Sequence, residues 1–165
     1  MSTNFLLREV KDLGKDVLYS SAFQKAVLQE HHYTSTVARH SLVVAMIALS
    51  MCYWLARIGI RVNKREVVIA SLSHDLGILG RKTKYSFGLQ CAYQHPRDSE
   101  KVLRELVPNL SEKAYKAVRW HMFPVFSPLA MSWIGLIVTI ADKRASFKDR
   151  KKNIKQFSCI RCTKG

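Results

Sequence analysis

The stretch "VVIASLSHDLGILG", Val67 to Gly80, constrains this chain more than any other. An apolar run of helical length ends in a histidine beside an aspartate, and glycines follow at once. Burying one ionisable side chain in an apolar interior is costly, and burying two neighbours costs more. The same problem recurs elsewhere. His40 stands at the head of the long apolar run "SLVVAMIALSMCYWLA", and Asp142 lies deep in "LIVTIADKRAS". An aspartate in such surroundings needs a partner. One shared cation would answer all four desolvation penalties together. Imidazole and carboxylate are good ligands for first-row divalent metals. A helix bundle lets such ligands project inward from different helices. His74 and Asp75 differ by about 100° around a helix. They meet one ion only near a helix end, where Gly77 and Gly80 relax the backbone.

Helical periodicity dominates the rest of the chain, and no segment alternates cleanly enough to read as a strand. Helices are expected over Asn4–Asp16, Ser21–His31, Thr34–Ile58 and Lys64–Leu76. Asn63 is placed to cap the last of these, with Glu66 completing a capping box. "RKTKYSFGLQCAY" reads as a basic, aromatic loop. "HPRDSEKVLREL" restarts a helix with Pro96 in its first turn. Ser111 caps "EKAYKAVRWH". Ser127 and Pro128 supply N-cap and first position for "LAMSWIGLIVTIADKRASFK". The expected fold is all-α, a compact bundle of about six to eight helices. It forms one domain over residues 1–150, followed by a basic tail, 151–165.

Composition agrees with one domain. The chain has 165 residues, 48% of them hydrophobic, enough for a real core. The most apolar segment, Leu42 to Ala56, is shorter than the roughly 20 residues of a membrane span and reads as a core helix. The N-terminus mixes acids and bases and shows no signal-peptide pattern. Four scattered cysteines make no disulfide scaffold, and a reducing, cytoplasmic setting is expected. Cys159 and Cys162 form half of a zinc knuckle with no second pair beside it. Cys91 and His95 stand four apart. The net charge is +15, of which Lys143 to Gly165 carries +8. Such a tail is able to bind nucleic acid or an anionic membrane, or stands solvated as a fraying end.

Two further histidines have no assignment of their own: His95 precedes a proline in "QHPRDS", and His121 ends a helix in "RWHMFP", where it can favour the negative end of the helix dipole. His31 and His32 read as solvent-exposed or capping. The order His40, His74-Asp75, His95, His121, Asp142 resembles the HD-domain superfamily of metal-dependent phosphohydrolases. The match runs over roughly Thr34 to Lys148, and its motifs are similar to a bacterial branch whose substrate they do not disclose. The resemblance implies a helical HD-domain fold with its metal-binding core at about 34–148. It implies that His40, His74, Asp75 and Asp142 hold one divalent ion. His95 and His121 hold a second, with Asp75 bridging. His74 and Asp75 become the catalytic centre. The metal could be Mn, Fe, Zn, Ni, Co or Mg. The implied nucleophile is a metal-bound hydroxide that attacks a phosphate ester of a small metabolite such as a nucleotide. The chain departs from the HD-GYP branch. It reads Leu76-Gly77-Ile78 where that branch has an early lysine, and it has no GYP. The stringent-response hydrolases are much longer and carry other motifs.

The substrate anion needs cations. Arg81, Lys82 and Lys84 follow the His-Asp pair, and Lys143 and Arg144 follow Asp142. Both clusters are expected at the substrate pocket, with solvated surface charge as the alternative. Arg39 and Arg119 adjoin candidate ligands in sequence and so point elsewhere around their helices. Thr139 and Ser146 share the face of Asp142 as supporting donors or as small packing residues. Two other functions are compatible with the sequence: a di-iron oxygenase on the same six residues, or a non-catalytic nucleic-acid-binding module.

Overall fold

The computed structural model describes the backbone of residues 1–32, 35–125, 128 and 132–162. It describes the side chains of 1–29, 35–125, 128 and 132–147. The fold is all-α. Its helices are α1 (Thr3–Leu13), α2 (Lys15–Leu18), α3 (Ser21–Leu28), α4 (Val37–Arg57), α5 (Lys64–Ser73), α6 (Arg81–Lys84), α7 (Gly88–Leu106), α8 (Glu112–Arg119) and α9 (Trp133–Cys162). A single 3-10 turn, Leu76–Ile78, follows α5. Two short strands, β1 (Glu30–His32) and β2 (Ser35–Thr36), pair antiparallel between α3 and α4. β1 occupies residues where α3 was expected to continue to His31, and β2 the residues where the next helix was expected to begin at Thr34.

Side-chain oxygens start most of these helices. Ser2, Ser20, Thr36, Asn63 and Ser111 each accept from the backbone N–H three residues on. Each satisfies one donor that a helix start leaves unpaired. The expected capping box at Asn63 is only half built. Glu66 N donates to Asn63, but the Glu66 carboxylate accepts from N and Oγ of Ser111 at 3.0 and 2.9 Å. It thereby ties the start of α5 to the start of α8. Ser127 lies outside the described residues. The N-cap bond of α9 comes from Ser132, whose Oγ accepts from Gly135 N at 3.1 Å. The expected start of α4 at Thr34 also falls outside the described residues, and the helix begins at Val37.

α4 runs through the centre, packed against α5 and α9. Among the described residues it is the one helix apolar and long enough to cross a membrane by composition. Val44, Ala45, Ala48 and Leu49 of α4 join Val67, Val68, Ile69 and Leu72 of α5 and Ile137, Val138 and Ala141 of α9 in one buried cluster. α8 lies against α5 and α9, and α7 lies across the 3-10 turn and α8.

The largest departure from the expected pattern is α7. It begins at Gly88, seven residues before His95, so much of the expected loop is helical. Pro96 is inside the helix and not in its first turn. A proline there removes one backbone donor and normally kinks or weakens the helix. Tertiary packing overrides that preference, because His95, Pro96, Asp98, Ser99 and Glu100 are all buried.

Gly77 explains how α7 comes so close to the His-Asp turn. A Cβ at Gly77 would overlap His95 O and Ser99 N, both backbone atoms. Its N–H donates to Ser99 Oγ at 2.8 Å. No side chain can give way here, so an added methyl must push α7 off the turn. Gly77→Ala is expected to cost about 2–3 kcal/mol of stability, read by urea denaturation; an unchanged midpoint would remove this account of the contact.

Candidate metal centre

Each candidate residue owes its position to a local feature of its own helix. α5 ends at Ser73, with His74 still helical and Asp75 at φ −111°, ψ 8°. The change of backbone at Asp75 lets the adjacent pair converge. This loosening comes from the 3-10 turn; Gly77 itself serves close packing. His95 sits in the middle of α7, and His121 lies just past the end of α8. Three imidazoles use one device. Nδ1–H donates to a carbonyl one turn back: His74 to Ser71 O (2.8 Å), His95 to Cys91 O (2.7 Å), His121 to Val118 O (2.7 Å). A carbonyl only accepts, so Nδ1 carries the proton and the Nε2 lone pair faces inward.

These lone pairs meet carboxylates and one another. Asp75 Oδ2 lies 3.3 Å from His74 Nε2. Asp75 Oδ1 lies 3.3 Å from His95 Nε2 and 3.6 Å from His121 Nε2. Asp142 Oδ1 lies 3.1 Å from His40 Nε2 and 3.7 Å from His74 Nε2. All six residues are buried. Two triads have donor atoms mutually within 4.8 Å: His40, His74, Asp142 and His74, Asp75, His121.

The arrangement fits a cation. His95 Nε2 and His121 Nε2 face each other at 3.2 Å. With both Nδ1 atoms protonated in the neutral rings, two lone pairs oppose each other, which is repulsive unless a proton or metal lies between. His74 Nε2 is buried and makes no hydrogen bond, although two carboxylates are near. Electrostatics carry the same demand. Burial opposes charge on His74 and His95, but Asp75 acts on both, and Asp142 on His74, to raise them to about 10 and about 9. Burial, followed by His74 and His95, pushes His121 down to about 3. Burial also opposes charge on Asp142, yet His40 and His74 hold its carboxyl well below the usual range. The two carboxylates require positive charge. Protons on His74 and His95 can supply it, and so can a divalent ion on the Nε2 lone pairs.

The cluster opens into a cavity of about 570 Å³. Arg81, Lys82 and Lys143 line it; Lys84 and Arg144 do not. Lys84 is drawn away by Asp98 Oδ2 at 2.8 Å and Gly77 O at 3.1 Å. Arg144, about 100° further round α9 than Lys143, lines a separate groove with Phe123 and Phe147. Arg39 is exposed, and Arg119 pairs with Glu100 at 3.2 Å. Ser146 Oγ donates to Asp142 Oδ1 at 3.3 Å, and Lys143 Nζ to Oδ2 at 3.2 Å. Thr139 Oγ1 is buried without a hydrogen bond. The side chains of His31, His32, Cys159 and Cys162, and of the rest of the basic tail, lie outside the described residues.

The family model of the HD domain matches residues 37–146, about two thirds of the chain and a span that contains all six residues. The chain belongs to the HD domain family. Neither the curated proteins nor the solved structures gave a match.

The HD domain's pocket also contains residues that sequence reasoning missed. Ile78, Tyr85, Phe87, Ala92 and Met122 form its apolar wall. Tyr85, Phe87 and Ala92 lay in a segment read as loop, where no periodicity assigns a face. Cys91 lines the pocket and lends its carbonyl to His95. An ion held by this many native-state donors stabilises the fold by mass action. At one hundred times its Kd the gain is about 2.7 kcal/mol, or roughly 5–10 °C for a chain of this size. Differential scanning calorimetry with Mn²⁺ against a chelator is expected to show that shift, and Asp75→Asn is expected to abolish most of it.

Proposed function

We propose that this HD domain is a metal-dependent phosphohydrolase that cleaves a phosphate ester of a small metabolite, a nucleotide being the favoured class. The single observation that carries the reading is the Asp75 carboxylate. One oxygen faces His74 and the other faces His95 and His121, at the floor of a pocket lined by cations. That is the disposition of a carboxylate shared between two ions. His40, His74, Asp75 and Asp142 would hold the first, and His95 and His121 would hold the second with Asp75 bridging. Bound divalent ions supply acidified water near neutral pH and neutralise phosphoryl charge.

The chain's own residues do the rest. The Nδ1 anchors fix the ring planes of His74, His95 and His121, so these donors are organised before substrate arrives. Ser146 and Lys143 orient the Asp142 carboxylate from its own helix. Lys143 has three donors and spends one on Asp142, which leaves others for a phosphoryl oxygen. Arg81 and Lys82 line the same pocket. Ile78, Phe87 and Met122 offer apolar surface to the remainder of the substrate. Lys84 and Arg144 have no part in this reading, since neither lines the pocket.

Release of p-nitrophenol from p-nitrophenyl phosphate, with Mn²⁺ present and then chelated, tests the proposal. Metal-dependent turnover is expected, with bis(p-nitrophenyl) phosphate separating monoester from diester cleavage. Asp75→Ala is expected to lower kcat/KM by at least about a thousandfold, comparable to losing one preorganised electrostatic element. Lys143→Ala is expected to raise KM about tenfold with a smaller change in kcat, as for a group that binds ground and transition state alike. Silence of the metal-loaded protein on a broad phosphoester panel, or oxygen-dependent turnover of the iron-loaded protein, would overturn the reading.

A further inference from the structure

Five residues outside the six candidate ligands, Gly77, Lys84, Tyr85, Asp98 and Ser99, converge where the His-Asp turn meets α7. Gly77, two residues after Asp75, donates its N–H to Ser99 Oγ at 2.8 Å. Its carbonyl receives Tyr85 Oη at 2.9 Å and Lys84 Nζ at 3.1 Å. The same two donors reach Asp98 Oδ2, each at 2.8 Å. Gln94 Nε2 donates to Asp98 Oδ1 at 3.3 Å, and Lys101 Nζ stands 3.8 Å from that oxygen. Tyr85 has one hydroxyl proton and two acceptors in reach. A bond to the ionised carboxylate is the stronger, so the proton goes to Asp98 and Lys84 serves both oxygens. Asp98, Ser99 and Tyr85 are buried. Asp98 does not line the pocket.

The position of this knot is what matters. One side is the turn that carries Asp75, and the other is the stretch of α7 that carries His95. Asp75 Oδ1 and His95 Nε2 are 3.3 Å apart across it. No bond of the knot touches the elements that carry His40 or Asp142. Burial pushes the Asp98 carboxyl up, but Lys84 and Tyr85 outweigh it and hold the group below the usual aspartate value. Asp98 is therefore charged at neutral pH and holds Lys84 in place.

We propose that Asp98, with Tyr85 and Lys84, is a positioning group that sets the distance between Asp75 and His95 and so selectively supports the second of the two ion positions. The inference rests on the two-ion reading above. It assigns to the "RDS" of α7, and to a lysine that sequence reasoning sent to the substrate, a role in metal affinity. Outer partners of a ligand set commonly tune affinity by 10–100-fold.

The test is calorimetric titration of Mn²⁺ into the full chain. Wild type is expected to show two classes of site. Asp98→Asn and Tyr85→Phe are expected to weaken one class at least tenfold and to leave the other within twofold. Glu66→Gln, which loosens the α5–α8 junction away from the knot, is the matched control. It is expected to lower Tm while both classes stay as they were. If both classes weaken together in Asp98→Asn, or if Glu66→Gln reproduces its pattern, the role is general stability and the proposal fails. Two sites unchanged in Asp98→Asn overturn the positioning role alone. A wild-type chain that takes up no Mn²⁺, or a single ion, overturns the two-ion reading and the proposal with it.

Discussion

The Asp75 carboxylate, wedged among imidazoles in an apolar interior, is the constraint on which the rest of the molecule depends. Its two oxygens face different histidines, within 3.3–3.6 Å. A buried carboxylate is intolerable without compensation, so segments remote in the chain must deliver compensating groups to one place. The bundle is built to do so. α4 brings His40, the α5 end brings the His-Asp pair, and α9 brings Asp142. α7 and α8 close the other side with His95 and His121. Anchoring Nδ1 of His74, His95 and His121 on carbonyls one turn back keeps their inward lone pairs at fixed angles and leaves the centre short of positive charge.

Delivering those groups requires an unusually close approach of α7 to the turn after α5. Gly77 permits it by having no side chain, and Ser99 rewards it with a hydrogen bond. The knot of buried Tyr85 and Asp98, with exposed Lys84 on its rim, then closes over the contact. Fully satisfied polar groups in a low-dielectric interior rigidify their surroundings. Pro96 can stay inside α7 because the segment around it is held by tertiary contacts; its backbone hydrogen bonds alone would not suffice.

Much of the centre was legible before any coordinates. His40, His74, Asp75 and Asp142 stand out because charged groups in apolar helical runs demand a common explanation, and Asn63 and Ser111 announce helix starts through local chemistry. Other features were illegible for identifiable reasons. Glu66 has the spacing of a capping box, but the Ser111 N–H and hydroxyl, 45 residues away, offer its carboxylate a better pair of donors. Lys84 is two residues from the pocket cation Lys82, yet Asp98 captures it. The start of α7 was missed because glycine and aromatic residues in "SFGLQCAY" carry no clear period.

The sequence by itself determined the class of the fold, the helices that form the core and the identity of the six clustered side chains. Period, capping oxygens and the cost of burying a charge at a given point in a run account for the class, the helices and His40, His74, Asp75 and Asp142, while His95 and His121 entered through the family resemblance. Only the tertiary structure decided which carboxylate oxygen meets which imidazole, which lysines reach the pocket and how near α7 lies to the His-Asp turn. Those are distances between segments remote in the chain. They are set by the volume of packed side chains and by competition among distant donors, and no one-dimensional pattern encodes either.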